Sequence, residues 1–446
     1  MSSFFPTWRK VDTLSPNDYV KPDERLSIGQ SAVMGVQHVV AMFGSTVLAP
    51  LLMGFDANLA ILMSGIGTLI FFIFVGGQVP SYLGSSFAFI GGVVAVTAYT
   101  GSGSNPNISI ALGGIVICGL VYALIGLLVT VMGSKIVAII EKLMPPVVTG
   151  AIVSVIGLNL APIAAKGAMG NSNFELAMAL MTIFCVGLVA VFTRGMIQRL
   201  LILLGLIISS VVYYIFANIL GFGTPINFES VAQASWFGLP QFTTPTFEWS
   251  AISVIAPVAV ILVAENLGHI RAVSAMTGKP LDKYLGRAFL GDGIATMVSG
   301  SVGGTGVTTY AENIGVMAVT RIFSTLIFLF AAIFAIFLGF SPKFGALIHI
   351  IPGAVLGGVS VVVFGLIVIA GARIWVVNQV DFSHNKNLIV AAVTMILGGG
   401  DFSVTLGSFS LNGIGTATFA AIILYAILNM GTKNNEKKDD SPFDSV

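Results

Sequence analysis

Long hydrophobic runs alternate with short polar turns along the chain from about residue 29 to residue 430. Most runs have about 17–25 residues, the length that an α-helix needs to cross the hydrocarbon layer of a bilayer. The pattern predicts fourteen spans and therefore an all-α polytopic membrane protein. The predicted spans are residues 29–53, 57–76, 81–99, 108–133, 146–165, 173–193, 197–218, 250–274, 284–301, 306–317, 320–340, 352–372, 387–400 and 412–430.

The distribution of basic residues supports this number of spans. Only 9% of the 446 residues are charged, whereas a soluble protein has about 25%. Lys and Arg concentrate on the cytoplasmic side of membrane proteins. With fourteen spans and a cytoplasmic N-terminus, every one of the 20 basic residues except Lys166 and Lys343 falls on that side. Residues 1–27 and 431–446 are therefore predicted to be cytoplasmic tails, and residues 219–249 an extracytoplasmic loop.

Two of the predicted spans contain stretches that do not favour a helix. Residues 81–92 read SYLGSSFAFIGG, and residues 303–309 read GGTGVTT. Extended backbone is tolerated at membrane depth only where it is buried in protein or lines a cavity. These stretches begin spans 3 and 10, which occupy matching places in two halves of seven spans. Because seven is odd, the second half enters the membrane from the opposite side, and interrupted spans in inverted halves indicate a transporter site.

Very few ionisable residues lie well inside the spans: His38, Glu265, His269, Asp292 and Glu312. Such residues are costly in a membrane and usually functional. Glu265 and His269 are four residues apart and share one helix face. A carboxylate and an imidazole in a low dielectric can exchange a proton near neutral pH, as a proton-coupled carrier requires. The alternative is a structural pair that ties span 8 to its neighbour.

Glu312 directly follows the second extended stretch, and its two acceptor oxygens suit a ligand with N–H donors. The alternative is a carboxylate that caps the following half-helix. Phe87 and Tyr310 lie beside the two breaks, where stacking on a flat ligand is favoured over simple packing. Asp292 is equally consistent with a structural tie and with indirect support of the site. His38 either bonds a neighbouring span or helps to polarise the site.

Other classes of function find little support in the sequence. The formal net charge of +1 indicates no nucleic-acid partner. Cys118 and Cys185 are isolated in separate spans and form neither a disulfide framework nor a metal cluster. No motif for an activated nucleophile, a metal or a cofactor is found. The residues alone therefore predict a carrier rather than an enzyme, without a metal or cofactor, for a small, flat, uncharged ligand.

Four motifs carry a resemblance to a known family. Glu312-Asn313-Ile314-Gly315, followed by Thr320-Arg321, resembles the signature of the nucleobase–ascorbate transporter family, also called nucleobase:cation symporter-2. QHVVAMFGSTVLAP at 37–50, PSYLGSSFAFIGG at 80–92 and AENLGH at 264–269 agree with it. The resemblance covers residues 28–430 and is greatest to the bacterial uracil permease branch, which includes pyrimidine permeases.

The resemblance implies a fold of two inverted repeats of seven spans in a bacterial inner membrane. Residues 28–133 and 250–340 would form a core domain, and residues 134–218 and 341–430 a gate domain. The family also implies short antiparallel strands in spans 3 and 10. Its gate domain tends to mediate homodimers, so a homodimer through that domain is the expected assembly.

The resemblance also implies roles for individual residues and names the partners as a nucleobase, protons and the lipid bilayer. The implied substrate-binding residues are Glu265, Glu312, Phe87, Tyr310 and Ala311. Phe87 and Ala311 would contribute backbone contacts, and Tyr310 would pack nearby. The implied proton-coupling residues are Glu265, His269 and, in support, His38.

The substrate is suggested by Glu312, because xanthine and urate carriers of the family usually have Gln at that position and ascorbate carriers have Pro. Uracil is therefore expected. Ser45 and Phe364 stand where uracil permeases often have Ala and Tyr, which leaves thymine open. Two alternatives remain: a purine symporter of the same family, such as one for xanthine, and an anion transporter of sulfate-transporter-like architecture, which two site carboxylates disfavour.

Overall fold

The computed structural model describes residues 5–11, 19–99, 103–406 and 409–436. The described chain is predominantly helical. Its helices are α1 (Ile28–Met53), α2 (Ala57–Phe74), α3 (Ala88–Thr97), α4 (Ile108–Met132), α5 (Ser134–Leu143), α6 (Pro146–Met169), α7 (Asn173–Phe192), α8 (Met196–Arg199), α9 (Leu201–Tyr214), α10 (Glu229–Gln233), α11 (Trp249–Ile255), α12 (Val258–Thr277), α13 (Leu285–Val302), α14 (Ala311–Thr320), α15 (Thr325–Gly339), α16 (Pro342–His349), α17 (Gly353–Val377), α18 (Asn385–Gly399) and α19 (Gly413–Glu436). Its strands are β1 (Arg9–Lys10), β2 (Glu24–Arg25), β3 (Leu83–Ser85), β4 (Val307–Thr309), β5 (Val404–Leu406) and β6 (Phe409–Leu411).

The predicted polytopic membrane fold is confirmed. Within the described ranges, nine helices or continuous helical stretches are long and apolar enough to cross a membrane. A tenth crossing is formed if α15 and α16, which meet at an angle of 80°, are taken as one broken span. The remaining predicted spans correspond to shorter helices or, for span 9, to α13, which is as long as α2 but less apolar. Spans 3 and 10 are the ten-residue helices α3 and α14, each preceded by a strand.

The first long helix shows how local sequence sets an element's limits. Ser27 and Gln30 form a capping box at the start of α1, in which each side chain bonds the other residue's backbone N–H. Two N–H groups that have no partner in the first helical turn are thereby satisfied. The helix ends at Gly54, whose φ of 72° is unfavourable for residues that carry a Cβ.

The long helices pack in close pairs, chiefly α6 with α17, α4 with α13 and α2 with α15. In the α4–α13 pair, Gly119 and Gly126 lie against the backbone of Gly293 and Leu290. A Cβ at Gly119 would be 2.7 Å from the Gly293 carbonyl oxygen. Small residues let membrane helices approach this closely and maximise van der Waals contact.

The two extended stretches meet in the interior as an antiparallel ribbon of β3 and β4. Leu83 pairs with Thr309, and Ser85 pairs with Val307. The outer edges of the ribbon are bonded by threonine hydroxyls from neighbouring helices. Thr68 Oγ1 on α2 accepts from the Leu83 N–H at 2.9 Å, and Thr296 Oγ1 on α13 donates to the Val307 carbonyl at 2.9 Å. These bonds satisfy backbone groups that have no water to bond at this depth.

Two glycines let aromatic rings cover the ribbon. A Cβ at Gly84 would lie 2.5 Å from the Tyr310 ring, and a Cβ at Gly306 would overlap the Phe89 ring. A side chain at either place would push a ring away from the ribbon and overpack the site. The glycines of the second extended stretch therefore serve close packing as well as non-helical backbone.

The N-terminal segment that the sequence predicts as a polar tail is attached to the helices. We call its described residues, 5–11 and 19–27, the N-terminal strap. Val20 exchanges backbone hydrogen bonds with the segment between α14 and α15, at 3.0 Å to the Arg321 carbonyl and 2.8 Å from the Phe323 N–H. Trp8 Nε1 donates to Thr325 Oγ1 at 3.0 Å, and Asp23 forms an ion pair with Lys279.

Candidate functional site

The broken segments place two helix starts around one small region. Because β3 and β4 are antiparallel, α3 and α14 begin at opposite ends of the same short ribbon. Helix α1 contacts β3, α3 and α14, and helix α12 contacts α3, β4 and α14. The first N–H groups of a helix lack partners inside that helix and favour negative or polar groups. The ribbon, the two helix starts, α1 and α12 therefore enclose the candidate site.

Glu312 lies in the first turn of α14 and is half-buried. Ser45 Oγ on α1 donates a hydrogen bond to Glu312 Oε1. In the described part of the chain, this is the one side-chain hydrogen bond found for the Glu312 carboxylate. Ser45 thus orients one carboxylate oxygen of Glu312.

Glu265 and His269 lie on α12 and are both half-buried. Glu265 is close enough to Glu312 for the two carboxylates to interact electrostatically. His269 Nδ1 lies 2.9 Å from Thr309 Oγ1 on β4, so the imidazole is attached to the ribbon. Thr309 Oγ1 is in turn 3.4 Å from Asn266 Oδ1. The structure thus brings the predicted pair to the same region as Glu312.

The first break contributes aromatic surface. Phe87 immediately precedes α3 and is half-buried. Its ring meets that of Phe364 on α17 edge to face, with centroids 6.3 Å apart and planes at 83°. Phe364 therefore lies beside Phe87 at the edge of the candidate site.

Tyr310 and Ala311 flank the start of α14 in different ways. Tyr310 is buried, and its hydroxyl donates to the Ser85 carbonyl at 2.7 Å while accepting from Thr46 Oγ1 at 3.2 Å. These contacts hold the Tyr310 side chain against the ribbon. They favour a packing role for the ring over stacking on a flat ligand. Ala311 is exposed and is the first residue of α14, where its backbone N–H has no partner within the helix.

His38 is fully buried on α1, in the wall of the candidate site. Asn313 Nδ2 lies 3.0 Å from His38 Nδ1 and donates to the His38 carbonyl, also at 3.0 Å. The imidazole packs on Phe328 of α15 with ring centroids 4.7 Å apart. Of the two interpretations made from the sequence, this placement favours the hydrogen bond to a neighbouring span.

Asp292 is completely buried on α13. Its Oδ2 accepts from Asn266 Nδ2 at 2.7 Å and from the Tyr122 hydroxyl at 3.4 Å. The carboxylate thereby joins α13 to α12 and α4, and Asn266 connects it through Thr309 to His269. Asn266, Thr309 and Tyr122 were not selected from the sequence, because neutral polar residues carry no such signal in a membrane span. Asn266 lies inside the AENLGH motif and Thr309 inside the second extended stretch, and these positions are the signal that could have identified them.

A helical membrane fold with two half-helices starting at a site lined by ionisable residues is the architecture of a secondary transporter. The family model described as "Permease family" (Xan_ur_permease) matches residues 29–407. The chain therefore belongs to this permease family, which confirms the resemblance drawn from the four motifs. It is thus a membrane transport protein rather than an enzyme.

Individual relatives support the same assignment. The chain is 65% identical over 425 residues to the putative pyrimidine permease RutG of Escherichia coli K12, with 95% of each chain covered. It is 42% identical to the uracil permease of Paenibacillus larvae, covering 92% of this chain and 97% of the relative. The solved transmembrane domain of the cyanobacterial bicarbonate transporter BicA has the same fold, with a TM-score of 0.59 at 15% identity over 89% of this chain and 96% of that one.

Proposed function

We propose that this protein is a proton-coupled symporter that imports a pyrimidine nucleobase, uracil first and thymine second, across a bacterial inner membrane. The observation that carries the proposal is the pair of half-buried, interacting carboxylates, Glu265 and Glu312, beside a broken helix. Relatives named as pyrimidine and uracil permeases support the substrate class.

In the proposed binding mode, N–H groups of the pyrimidine donate to the carboxylates of Glu312 and Glu265. The free N–H of Ala311 at the start of α14 donates to a ring carbonyl oxygen, and the backbone beside Phe87 adds a second polar contact. The Phe87 ring covers one face of the base. An uncharged ring with N–H donors satisfies the carboxylates, whereas an anion would be repelled by them.

In the proposed coupling step, a proton resides on Glu265 while the base is bound. Neutralising one of two neighbouring carboxylates removes their repulsion and lowers the cost of a charged site in the membrane. His269 lies on the same helix face and is held by Thr309 on the ribbon. It is therefore placed to take the proton when the site opens toward the cytoplasm.

We propose that the fold consists of the fourteen spans predicted from the sequence, arranged as two inverted repeats, with both termini in the cytoplasm. Helix contacts support the repeat, because matching spans make matching contacts. The pair α4–α13 corresponds to α15–α2, α7–α9 to α18–α19, and α6–α18 to α17–α7. The ribbon and the α6–α17 pair correspond to themselves. A two-fold relation between the halves would produce this pattern.

We propose that transport requires a movement of the core domain relative to the gate domain. The core domain of residues 28–133 and 250–340 carries the site and moves against the gate domain of residues 134–218 and 341–430. Most described site residues, including Ser45, Phe87, Glu265 and Glu312, belong to the core, and Phe364 belongs to the gate. We propose that the gate domain also forms the homodimer contact.

The test is uptake of radiolabelled uracil by proteoliposomes that contain the purified protein, with and without an inward proton gradient. Unlabelled thymine, xanthine and bicarbonate are the competitors. We expect accumulation that depends on the gradient and is reduced by thymine but not by xanthine or bicarbonate. Competition by xanthine alone would support the purine alternative, and exchange of bicarbonate without uracil uptake would support the anion alternative.

A further inference from the structure

A large side-opening crevice separates parts of the molecule that the proposed function sets in relative motion. It has a volume of about 730 Å³ and lies between α1, α9 and α16, where the segment around Phe228 closes one end. Residues that define its walls are Val39 and Phe43 of α1, Ile207 and Val211 of α9, and Phe344 and Leu347 of α16. Its lining is apolar apart from Ser210 and the Tyr214 hydroxyl.

The crevice opens where the surrounding medium is lipid. Ile207, Val211 and Leu347 are 51%, 53% and 50% exposed, so its walls face outward as well as inward. Helices α1 and α9 are among the stretches long and apolar enough to span a membrane. Ser210 and the Tyr214 hydroxyl are too few polar partners to hold water throughout a crevice of this size, so apolar lipid chains are the favoured occupant.

A lysine lies next to the crevice lining, on the predicted outer side. Lys343 is the residue before Phe344 and lies one helical turn from Leu347, and it is one of the two basic residues on the predicted outer side. Its Nζ lies 4.9 Å from the centre of the Trp236 ring. No ion pair of Lys343 is found among the described residues. Trp236, Phe237 and Leu239 beside it are strongly exposed, as expected of side chains at a membrane interface.

We propose that this crevice is a binding site for one anionic phospholipid of the outer leaflet. An acyl chain lies between α1 and α9, and the headgroup phosphate is bound by Lys343 next to Trp236. On one side, the crevice is lined by α1 and α15 of the proposed core domain. On the other side, it is lined by α9, α16 and the residues that connect α16 to α17, which belong to the proposed gate domain. A chain bound there is in contact with both sides of the moving interface.

The site is tested with the full-length protein in phosphatidylcholine vesicles that contain phosphatidylglycerol with a photoreactive diazirine on its acyl chain. After illumination, cross-linked peptides are mapped by mass spectrometry. We expect cross-links concentrated on Val39, Phe43 and Leu347, and competition by unlabelled phosphatidylglycerol that exceeds competition by phosphatidylcholine. Cross-links spread evenly over all lipid-facing helices would overturn the proposal.

Two pairs of variants sharpen the test. Ile207→Trp fills the crevice and should remove these cross-links, whereas Ile208→Trp, an exposed neighbour outside the crevice, should not. If Ile207→Trp does not fold, Val211→Phe serves the same purpose. Lys343→Gln should reduce the preference for phosphatidylglycerol about fivefold, because a basic residue near the surface is worth about 1 kcal/mol. Lys166→Gln, the other basic residue of the predicted outer side, is its control.

Three results would contradict the assignment. Unchanged cross-linking in the crevice-filling variants would exclude an acyl chain between α1 and α9. An unchanged lipid preference in Lys343→Gln would exclude the headgroup contact. Disulfide-linked dimers formed by Ile207→Cys would assign the crevice to a second copy of the chain. None of these readouts depends on uracil transport, so this proposal and the proposed function fail independently.

Discussion

The two broken segments share a backbone plan and differ in chemistry. Each consists of a three-residue strand followed by a ten-residue helix, β3 with α3 and β4 with α14. Phe87 immediately precedes α3, and the sequence from 83 to 97 contains no ionisable residue. The second begins with Ala311-Glu312-Asn313. One break therefore offers an aromatic surface and the other a carboxylate.

The helices that pass the ribbon differ in the same way. Helix α12 directs Glu265 and His269 toward the site, whereas α1 contributes the hydroxyl of Ser45 and buries His38 in the wall. The two broken segments thus share one backbone plan, while the ionisable groups are concentrated in the second half of the chain. The predictions below test whether binding and coupling are divided in this unequal way.

The largest effect is expected for Glu312→Ala. Hydrogen bonds to a charged group contribute about 1.5–3 kcal/mol each, so loss of the carboxylate should weaken uracil binding about 100-fold or more. Isothermal titration of the purified protein measures the change. Glu141→Gln is the control, because Glu141 lies on α5 and its ion pair with Arg271 is exposed, with 40% and 46% of the two side chains accessible to solvent. Unchanged affinity in Glu312→Ala would remove the second break from the binding site.

Glu265→Gln should separate binding from coupling. The amide cannot release a proton, so uracil should no longer accumulate against its gradient when protons flow inward. Exchange of labelled for unlabelled uracil across the same vesicles should persist, since it needs no net proton movement. Accumulation that survives in this variant would show that Glu265 does not carry the coupled proton.

The two histidines should respond differently to the same substitution. His269→Gln should leave the fold intact and alter the pH dependence of uptake, because His269 is half-buried at the ribbon. His38→Gln should lower the melting temperature, because His38 is fully buried between Asn313 and Phe328. Thermal unfolding and pH profiles of both variants provide the readouts. A stable but uncoupled His38→Gln protein would restore the coupling role implied by the family resemblance.

A smaller effect is expected for Ser45→Ala, the contact of the first half with the carboxylate of the second. Loss of this hydrogen bond should weaken uracil binding about fivefold, equivalent to about 1 kcal/mol. Ser31→Ala, a buried serine earlier on the same helix, is the matched control. If Ser45→Ala weakens binding further when Glu312 is already Ala, then Ser45 touches the ligand by itself rather than acting through Glu312.

The smallest effect concerns the N-terminal strap, which belongs to the first half and is hydrogen-bonded to the segment between α14 and α15. Burial by itself would raise the pKa of Glu24, but the Lys21 N–H and the Arg9 side chain, with their charges, hold that pKa below its ordinary value. For Asp23, burial is likewise outweighed by the hydrogen bond and charge of Lys279, and the pKa is lowered. Carboxylates with lowered pKa values stabilise the folded state above their ordinary pKa of about 4, and this contribution disappears as the pH falls through the lowered value.

The strap should therefore stay attached at neutral pH and detach in acid below about pH 4. Cleavage of the strap by pepsin across the acidic range, read by mass spectrometry, measures this transition. At neutral pH, Glu24→Gln should speed tryptic cleavage of the strap slightly. Glu24 is buried but its partner Arg9 is 79% exposed, and ion pairs open to solvent contribute about 1 kcal/mol or less. Equal cleavage of Glu24→Gln and Glu141→Gln would show that the Arg9–Glu24 pair does not hold the strap.

The sequence determined the features that the bilayer and local backbone chemistry impose. Hydrophobic runs of membrane length predicted the helical polytopic fold, and the described helices follow them with small shifts at their ends. Stretches rich in Gly, Ser or Thr predicted extended backbone at 81–92 and 303–309, and β3 and β4 lie within them. For residues 88–92 this prediction is wrong, because they form the first half of helix α3. Ionisable residues in membrane segments are few enough that Glu265, His269 and Glu312 could be selected without the structure.

Only the tertiary structure decided which of these groups meet. Ser45 and Glu312 are 267 residues apart, and Asn266 and Asp292 are joined across two helices. Pairings of this kind depend on how helices rotate and pack, and a serine or asparagine has no pattern that predicts them. The burial of His38 behind Asn313 has the same origin. The sequence thus selected the chemical groups through the cost of polarity in a membrane, and helix packing assigned each group to the site or to its wall.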